Sequence, residues 1–226
     1  PLFVYGAAIL LNGPGAFMIK ASRKRGEKMS LKIIVDSSVG LTKAEALERG
    51  YFFIPLSILL GDKNYTEGVD ITPDEFYALL AQGLMPHTSQ PSPELYREAF
   101  DAATEAGDEA ILLSISSKIS GSWQAANLAL KECIHPEKVH LFDTLSFFCG
   151  SQILLHEVEE HQDLPIADLL EYLEDLKKRI HVFAGMDTLT YVYKGGRLSK
   201  FNYALGVFLH AKAIGQTHVG NDHIVA

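Results

Sequence analysis

The sequence predicts an α/β protein: a parallel sheet with helices on both faces, plus a second, smaller α+β domain. Three observations carry the prediction. From Met29 to Arg179, short and nearly uninterrupted apolar runs alternate with helix-like stretches, the pattern of strands buried on both faces. The runs end in hydroxyl- and carboxyl-bearing loops such as Asp36-Ser37-Ser38, Ser116-Ser117 and Asp143-Thr144. After Ile180 the alternation gives way to β-favouring, glycine-broken segments. This divides the chain into residues 1–28, an α/β domain over 29–180, and the start of a second α+β domain over 181–226, read as incomplete.

Residues 1–20 read as a buried strand, a turn and a short helix. They lack a basic leader, and Asn12-Gly13-Pro14-Gly15 interrupts the apolar run well short of a membrane span. Residues 31–35 form the first strand of the α/β domain. Thr42 then caps a short helix that Gly50 closes. Residues 51–60 are apolar and β-favouring, and Gly61-Asp62-Lys63-Asn64 turns them back. Thr72-Pro73-Asp74-Glu75 starts a helix, with Thr as cap, Pro at the first helical position and Glu completing a capping box. Ser92-Pro93-Glu94 starts another, ended by Gly107.

Residues 110–115 are a further buried strand, followed by the loop 116–121 and a helix over about 122–133. The strand 139–142 comes next, then helices over about 146–161 and 166–179, separated at Pro165. Beyond 180, residues 182–193 read as extended and Gly195-Gly196 breaks them. An amphipathic helix over 199–210 follows, and a hairpin over 217–225 turns at Gly220-Asn221-Asp222.

Composition narrows the function. Of 226 residues, 47% are hydrophobic and 21% charged, as in soluble globular proteins. Twenty Lys and Arg stand against 28 Asp and Glu, a net charge of −8. Such a surface repels phosphate backbones and anionic headgroups, which argues against a nucleic-acid partner; without a spanning segment, stable membrane insertion is not expected either. The two cysteines, Cys133 and Cys149, lie in apolar stretches. They form neither a disulfide framework nor a zinc pair and suit the reducing cytoplasm.

Motifs for common chemistries are missing. There is no G-x-S-x-G elbow, no G-x-G-x-x-G and no P-loop. His156 and His161 lie five residues apart, roughly 140° round a helix, whereas a zinc-binding pair needs a spacing of four. No metal, cofactor or catalytic residue is therefore expected. What the chain does offer is hydroxyls and backbone N–H groups at strand ends. Loops 36–38, 116–121 and 143–144, with residues 87–92 leading into a helix amino terminus, suit a small anion. The same residues also serve as helix caps and turn formers. Lys194-Gly195-Gly196-Arg197 combines close backbone approach with cationic donors, and equally fits a tight turn.

The succession Asp36-Ser37-Ser38, Ile54-Pro55-Leu56, Thr88-Ser89-Gln90-Pro91-Ser92-Pro93, Ser120-Gly121-Ser122 and Thr188-Leu189 with Tyr191 and Lys194-Gly195-Gly196-Arg197 resembles the DegV family. These are bacterial fatty-acid-binding proteins that include the FakB-type subunits of fatty acid kinase. The resemblance runs from about Lys32 to Ala226. It implies a two-domain α/β protein that buries a long-chain fatty acid between its domains. Thr88 and Ser120 would hold the carboxylate, with Ser89 and Gly121 beside them, and Ser37 and Arg197 would lie near the carboxylate or face a partner.

The resemblance also implies a non-enzymatic subunit that presents the carboxylate to a separate ATP-dependent kinase, giving an acyl phosphate for phospholipid synthesis. Ile119-Ser120-Gly121-Ser122 stands where the family carries a Leu-Ser-Gly-Thr type loop. Family members continue past the terminal hairpin, and Leu11-Asn12-Gly13-Pro14-Gly15-Ala16 resembles the close of the family's carboxyl-terminal segment. Residues 1–28 thus look like a family tail placed ahead of the head, with Leu11 where the family has a carboxylate-contacting His. Two other classes stay open: a hydrolase or acyltransferase using Ser120 with Asp36 or Asp143, and a degenerate, non-binding interaction subunit.

Overall fold

The computed structural model describes residues 30–186 and 188–196, together with the backbone of Val4–Leu11, Ala213–Thr217 and His223–Val225. In chain order the strands are β1 (Val4–Leu11), β2 (Leu31–Asp36), β3 (Phe52–Ile54), β4 (Ser57–Leu60), β5 (Lys63–Thr66), β6 (Pro86–Ser89), β7 (Glu109–Ser114), β8 (Val139–Asp143), β9 (Ile180–Met186), β10 (Ala213–Thr217) and β11 (His223–Val225). The helices are α1 (Lys43–Glu48), α2 (Pro73–Ala81), α3 (Pro93–Thr104), α4 (Ser122–Leu130), α5 (Cys149–Glu160), α6 (Ile166–Lys177) and α7 (Thr190–Lys194).

Local chemistry sets the helix starts. Thr42 and Thr72 accept the N–H of Glu45 and Glu75, whose carboxylates reach back to the two threonines, so both capping boxes close. Ser92 caps α3, with Pro93 in the first turn.

The central sheet is parallel, in the order β3-β2-β7-β8. Its strands are apolar on both faces because both faces are covered. Ile33, Val35, Ile111 and Leu113 pack with Leu154 and Val158 of α5 and Leu169 and Leu173 of α6. On the other side, Ile34 and Leu112 meet Tyr96 and Phe100 of α3 and Ala125 and Ala129 of α4. Burying each such Leu or Ile contributes about 1.5–3 kcal/mol. Cys133 is buried and Cys149 half-buried.

Beside it lies a three-stranded antiparallel sheet, β5-β4-β6, whose β4–β5 hairpin turns back within the expected segment 61–64 and whose pairing with β6 the sequence did not announce. The apolar run over 51–60 is not one strand. It divides at Pro55, which has no N–H to donate to a ladder, and β3 joins the parallel sheet while β4 opens the antiparallel one. In β4, Ile58 and Leu60 are buried and Leu59 is exposed, the alternation of a sheet covered on one side. Ile58, Leu60, Ile71 and Leu80 form its core. The loop expected at 87–92 begins as strand β6, in which Thr88 pairs with Ile58 and Ser89 with Ser57.

The third sheet, β1-β9-β10-β11, is antiparallel throughout. Val4–Leu11 runs along β9 as one edge, with Leu11 opposite Ile180. Ile180 and Val182 also belong to the α5–α6 core, which joins this sheet to the parallel one. The extended segment expected up to residue 193 ends at Met186, and Thr190–Lys194 is helical. The expected terminal hairpin is represented by the β10–β11 pair, which starts at Ala213. The helix expected over 199–210 falls outside the described residues. No helix among the described residues is long and apolar enough to cross a membrane.

Candidate functional site

Strand order creates the site. From β2 the chain passes through α1 to β3 on one side, then returns through the second sheet and α3 to β7 on the other. The carboxyl ends of β2 and β7 therefore flank the point where order reverses, the place where open α/β sheets hold ligands. The loops meeting there are 36–40, 115–121 and 144–148.

Asp36 is the hub. It is wholly buried, and its carboxylate accepts the Ser38 N–H at 3.0 Å, the Ser38 hydroxyl, and the Ile115 N–H at 3.0 Å. Burial pushes its pKa up to about 6, against the lowering effect of these bonds, and the nearby Glu67 carboxylate adds to the rise. Ser37 is also buried. Its hydroxyl donates to Glu67 Oε2 at 2.6 Å and accepts the Leu56 N–H at 3.0 Å. It is therefore committed to the protein interior rather than presented outward. Asp143 accepts the Ser117 and Leu145 N–H groups, each at 3.1 Å, and so shapes the loop after β7.

Thr88 and Ser89 stand exposed on β6. Ser120 and Gly121 lead into the amino terminus of α4, with Ser120 part-buried. The two pairs are drawn together by Gln90. Its side-chain amide lies against the α-carbon of Gly121, where a β-carbon would collide with it. The Ser120 Oγ lies 2.9 Å from Ser122 Oγ and accepts the Ser122 N–H at 3.2 Å. Among the described residues neither Asp36 nor Asp143 is hydrogen-bonded to Ser120, so Ser120 has no carboxylate base beside it.

Lys194 is exposed, and Gly196 takes a positive φ of 79°. Tyr191 of the same helix packs on the core of the second sheet, the sheet whose strand β6 carries Thr88. Arg197 lies outside the described residues.

Three groups carry no sequence signal of their own: Gln90 as the contact between loops, Glu67 as the partner of Ser37, and Tyr96 in the core that α3 shares with α4. Gln90 is part of the Thr88-Ser89-Gln90-Pro91 segment, but no spacing rule pairs it with Gly121. Among the described residues no group of His, Cys, Asp and Glu is arranged to hold a metal ion. Apart from the inward carboxylates of Asp36 and Glu67, the candidate site offers hydroxyl and N–H donors at two helix amino termini, groups suited to an acceptor-only anion.

Comparison with known proteins adds the following. A family model described as "Uncharacterised protein, DegV family" matches residues 30–226. A DegV domain-containing protein of Caldanaerobacter subterraneus subsp. tengcongensis is 30% identical over 186 residues, covering 81% of this chain and 66% of the relative. One from Halalkalibacterium halodurans is 28% identical over 193 residues, with the same coverage, 81% and 66%. The chain thus spans just under two thirds of the length of these relatives.

Among solved structures, a DegV family protein from Thermus thermophilus, described for its fatty acid binding, superposes with a TM-score of 0.77 at 29% identity, covering 88% of this chain and 71% of that one. A stearic acid-binding protein from Eubacterium ventriosum gives 0.78 at 26% identity, covering 87% and 70%. The linoleic acid-loaded fatty acid kinase B3 protein of Streptococcus pneumoniae gives 0.73 at 21% identity, covering 88% and 72%, a likeness of fold.

Proposed function

The chain belongs to the DegV family, and from that premise we propose that it binds a long-chain fatty acid whose carboxylate is held by Thr88 and Ser120. The observation that carries the reading is the packing of Gln90 on Gly121, because it draws together the two loops whose hydroxyls the family resemblance assigns to the carboxylate. Structural neighbours described as fatty-acid- and stearic acid-binding proteins support the ligand class.

The energetics divide between tail and head. Burial at about 0.8 kcal/mol per methylene gives on the order of 10 kcal/mol gross for a long acyl chain, before ordering costs. Each hydrogen bond to the charged head adds about 1.5–3 kcal/mol. The tail therefore supplies affinity, and the hydroxyls supply register and orientation. If Leu11 occupies the position of the family's carboxylate-contacting His, it donates nothing, and the hydroxyls carry the head group with less help.

In the finer reading the protein works in the bacterial cytoplasm and is not itself an enzyme. It presents the bound carboxylate to a separate ATP-dependent kinase, and the acyl phosphate formed enters phospholipid synthesis, with Arg197 near the carboxylate end.

The test is a titration of the purified chain with a long-chain fatty acid, beside Thr88→Ala/Ser120→Ala. The double variant is expected to lose at least tenfold in affinity and keep its fold. Parental affinity in that variant overturns the site assignment. Mass analysis of an organic extract of the native protein is expected to show a co-purifying fatty acid. An empty protein that takes up no fatty acid when offered one overturns the function.

A further inference from the structure

Tyr96 lies on the first turns of α3 and is wholly buried, its ring in the core beside Ile34, Leu112 and Ala125. Its hydroxyl has no hydrogen-bond partner in the structure. A buried, unpaired hydroxyl is destabilising, and a phenylalanine would fill the same space without that cost. Two groups face it and act on its ionisation, the Asp36 carboxylate and the Ser122 hydroxyl. Asp36 acts on it only as a charge at a distance, whereas the Ser122 hydroxyl lies close to hydrogen-bonding range. Ser122 remains, itself wholly buried as the first residue of α4.

The hydrogen-bond inventory then sets a direction. A serine hydroxyl has one proton and two acceptor positions. Ser120 Oγ accepts the Ser122 N–H at 3.2 Å and lies 2.9 Å from Ser122 Oγ. If Ser122 donates its proton to Ser120, both acceptor positions of Ser120 are filled and its own proton must point away from Ser122. If Ser122 accepts instead, the Ser120 proton is used inward. Only a donor behind Ser122 favours the first arrangement, and the unpaired Tyr96 hydroxyl, in the core that α3 shares with α4, can turn to supply it.

We propose that Tyr96 and Ser122 form a hydroxyl relay that aims the Ser120 proton outward, and so makes the site select an ionised carboxylate over a neutral head group of similar shape. Hydroxyls in series polarise one another, so the outermost O–H is a better donor to an anion than an isolated serine. Tyr96 and Ser122 are positioning residues in this scheme, acting through Ser120. The proposal rests on the assignment of Ser120 to the carboxylate.

The test compares binding of stearate and stearamide by the full chain and by four variants: Tyr96→Phe, Ser122→Ala, Ser122→Thr and Ser120→Ala. The parent is expected to prefer stearate. Tyr96→Phe and Ser122→Ala should lower the stearate-to-stearamide affinity ratio at least fivefold, and Ser122→Thr, which keeps the hydroxyl, should restore it. Tyr96→Phe should melt no lower than the parent, which separates lost selectivity from lost packing. Added to Ser120→Ala, it should change the ratio no further.

A parental ratio in Tyr96→Phe, with a lowered one in Ser120→Ala, overturns the relay and leaves the site assignment standing. Parental stearate affinity in Ser120→Ala overturns that assignment and the relay with it. A parent that binds neither probe overturns the proposed function.

Discussion

The carboxylate of Asp36 accepts the backbone N–H of Ile115 at 3.0 Å, across 79 residues of sequence. This bond ties the loop after β2 to the loop after β7 at the point where strand order reverses, and sets the spacing of the walls of the candidate site. The same carboxylate holds Ser38, so one buried charge organises two loops. Burial works against that charge and lifts its pKa to about 6.

A raised acid pKa makes stability depend on pH with a definite sign. Well below pH 3.8 Asp36 is protonated whether the chain is folded or not. Between pH 4 and 6 the folded state holds the proton more tightly, so its contribution to stability falls as pH rises. A shift from 3.8 to about 6 corresponds to about 3 kcal/mol. Urea denaturation of the parent and Asp36→Asn across pH 4 to 7 should show the variant gaining on the parent by up to that amount. Parallel profiles would mean that Asp36 does not titrate in this window.

Gly40 takes a positive φ of 80°, and a methyl group there would collide with the ring of Phe148, whose own φ is 47° and whose N–H donates to the Ser38 carbonyl at 2.8 Å. Gly40→Ala should cost about 1–2 kcal/mol for the left-handed backbone alone and more for displacing the ring. In a Phe148→Ala background the second part should disappear. A coupling of about 1 kcal/mol or more in chemical denaturation is expected, and additivity within error would count against the contact.

Gly121→Ala drives a methyl into the Gln90 amide. Gln90 is exposed and can swing aside, so stability should change by less than about 1 kcal/mol. Fatty-acid affinity should fall several-fold, because the loops bearing Thr88 and Ser120 are pushed apart. Adding Gln90→Ala should recover part of it. Parental affinity in Gly121→Ala, measured by titration, would separate this contact from binding.

Leu112 is wholly buried between the two helical layers, whereas Leu59 is 41% exposed on the second sheet. Leu112→Ala should cost about 2–5 kcal/mol in thermal or urea unfolding. Leu59→Ala should cost about 0.5 kcal/mol or less. Equal costs would contradict the two-faced burial of the central sheet.

The central sheet, its helices and their caps were legible in the sequence because the signals are local. A strand covered on both faces must be apolar at consecutive positions, as in residues 31–35 and 110–115, and a capping box fits within four residues, as at Thr72 and Glu75. The loops rich in Ser, Thr and Asp marked the strand ends for the same reason. The family resemblance added the ligand class, which composition and periodicity could not supply.

Tertiary structure decided the rest. Pro55 divides an apolar run between two sheets, and β6 turns Thr88 and Ser89 from expected loop residues into exposed strand residues, because strand pairing depends on a partner far away in the chain. Ser37 reads like Ser38 in the sequence, yet one bonds Glu67 and the other Asp36. Tyr96 reads as an ordinary apolar helix position until packing buries its hydroxyl beside Ser122. The sequence by itself determined which groups could meet an anion. Which of them come together depends on contacts between distant residues, Gln90 with Gly121 and Asp36 with Ile115, and such contacts exist only once the core has brought the loops together.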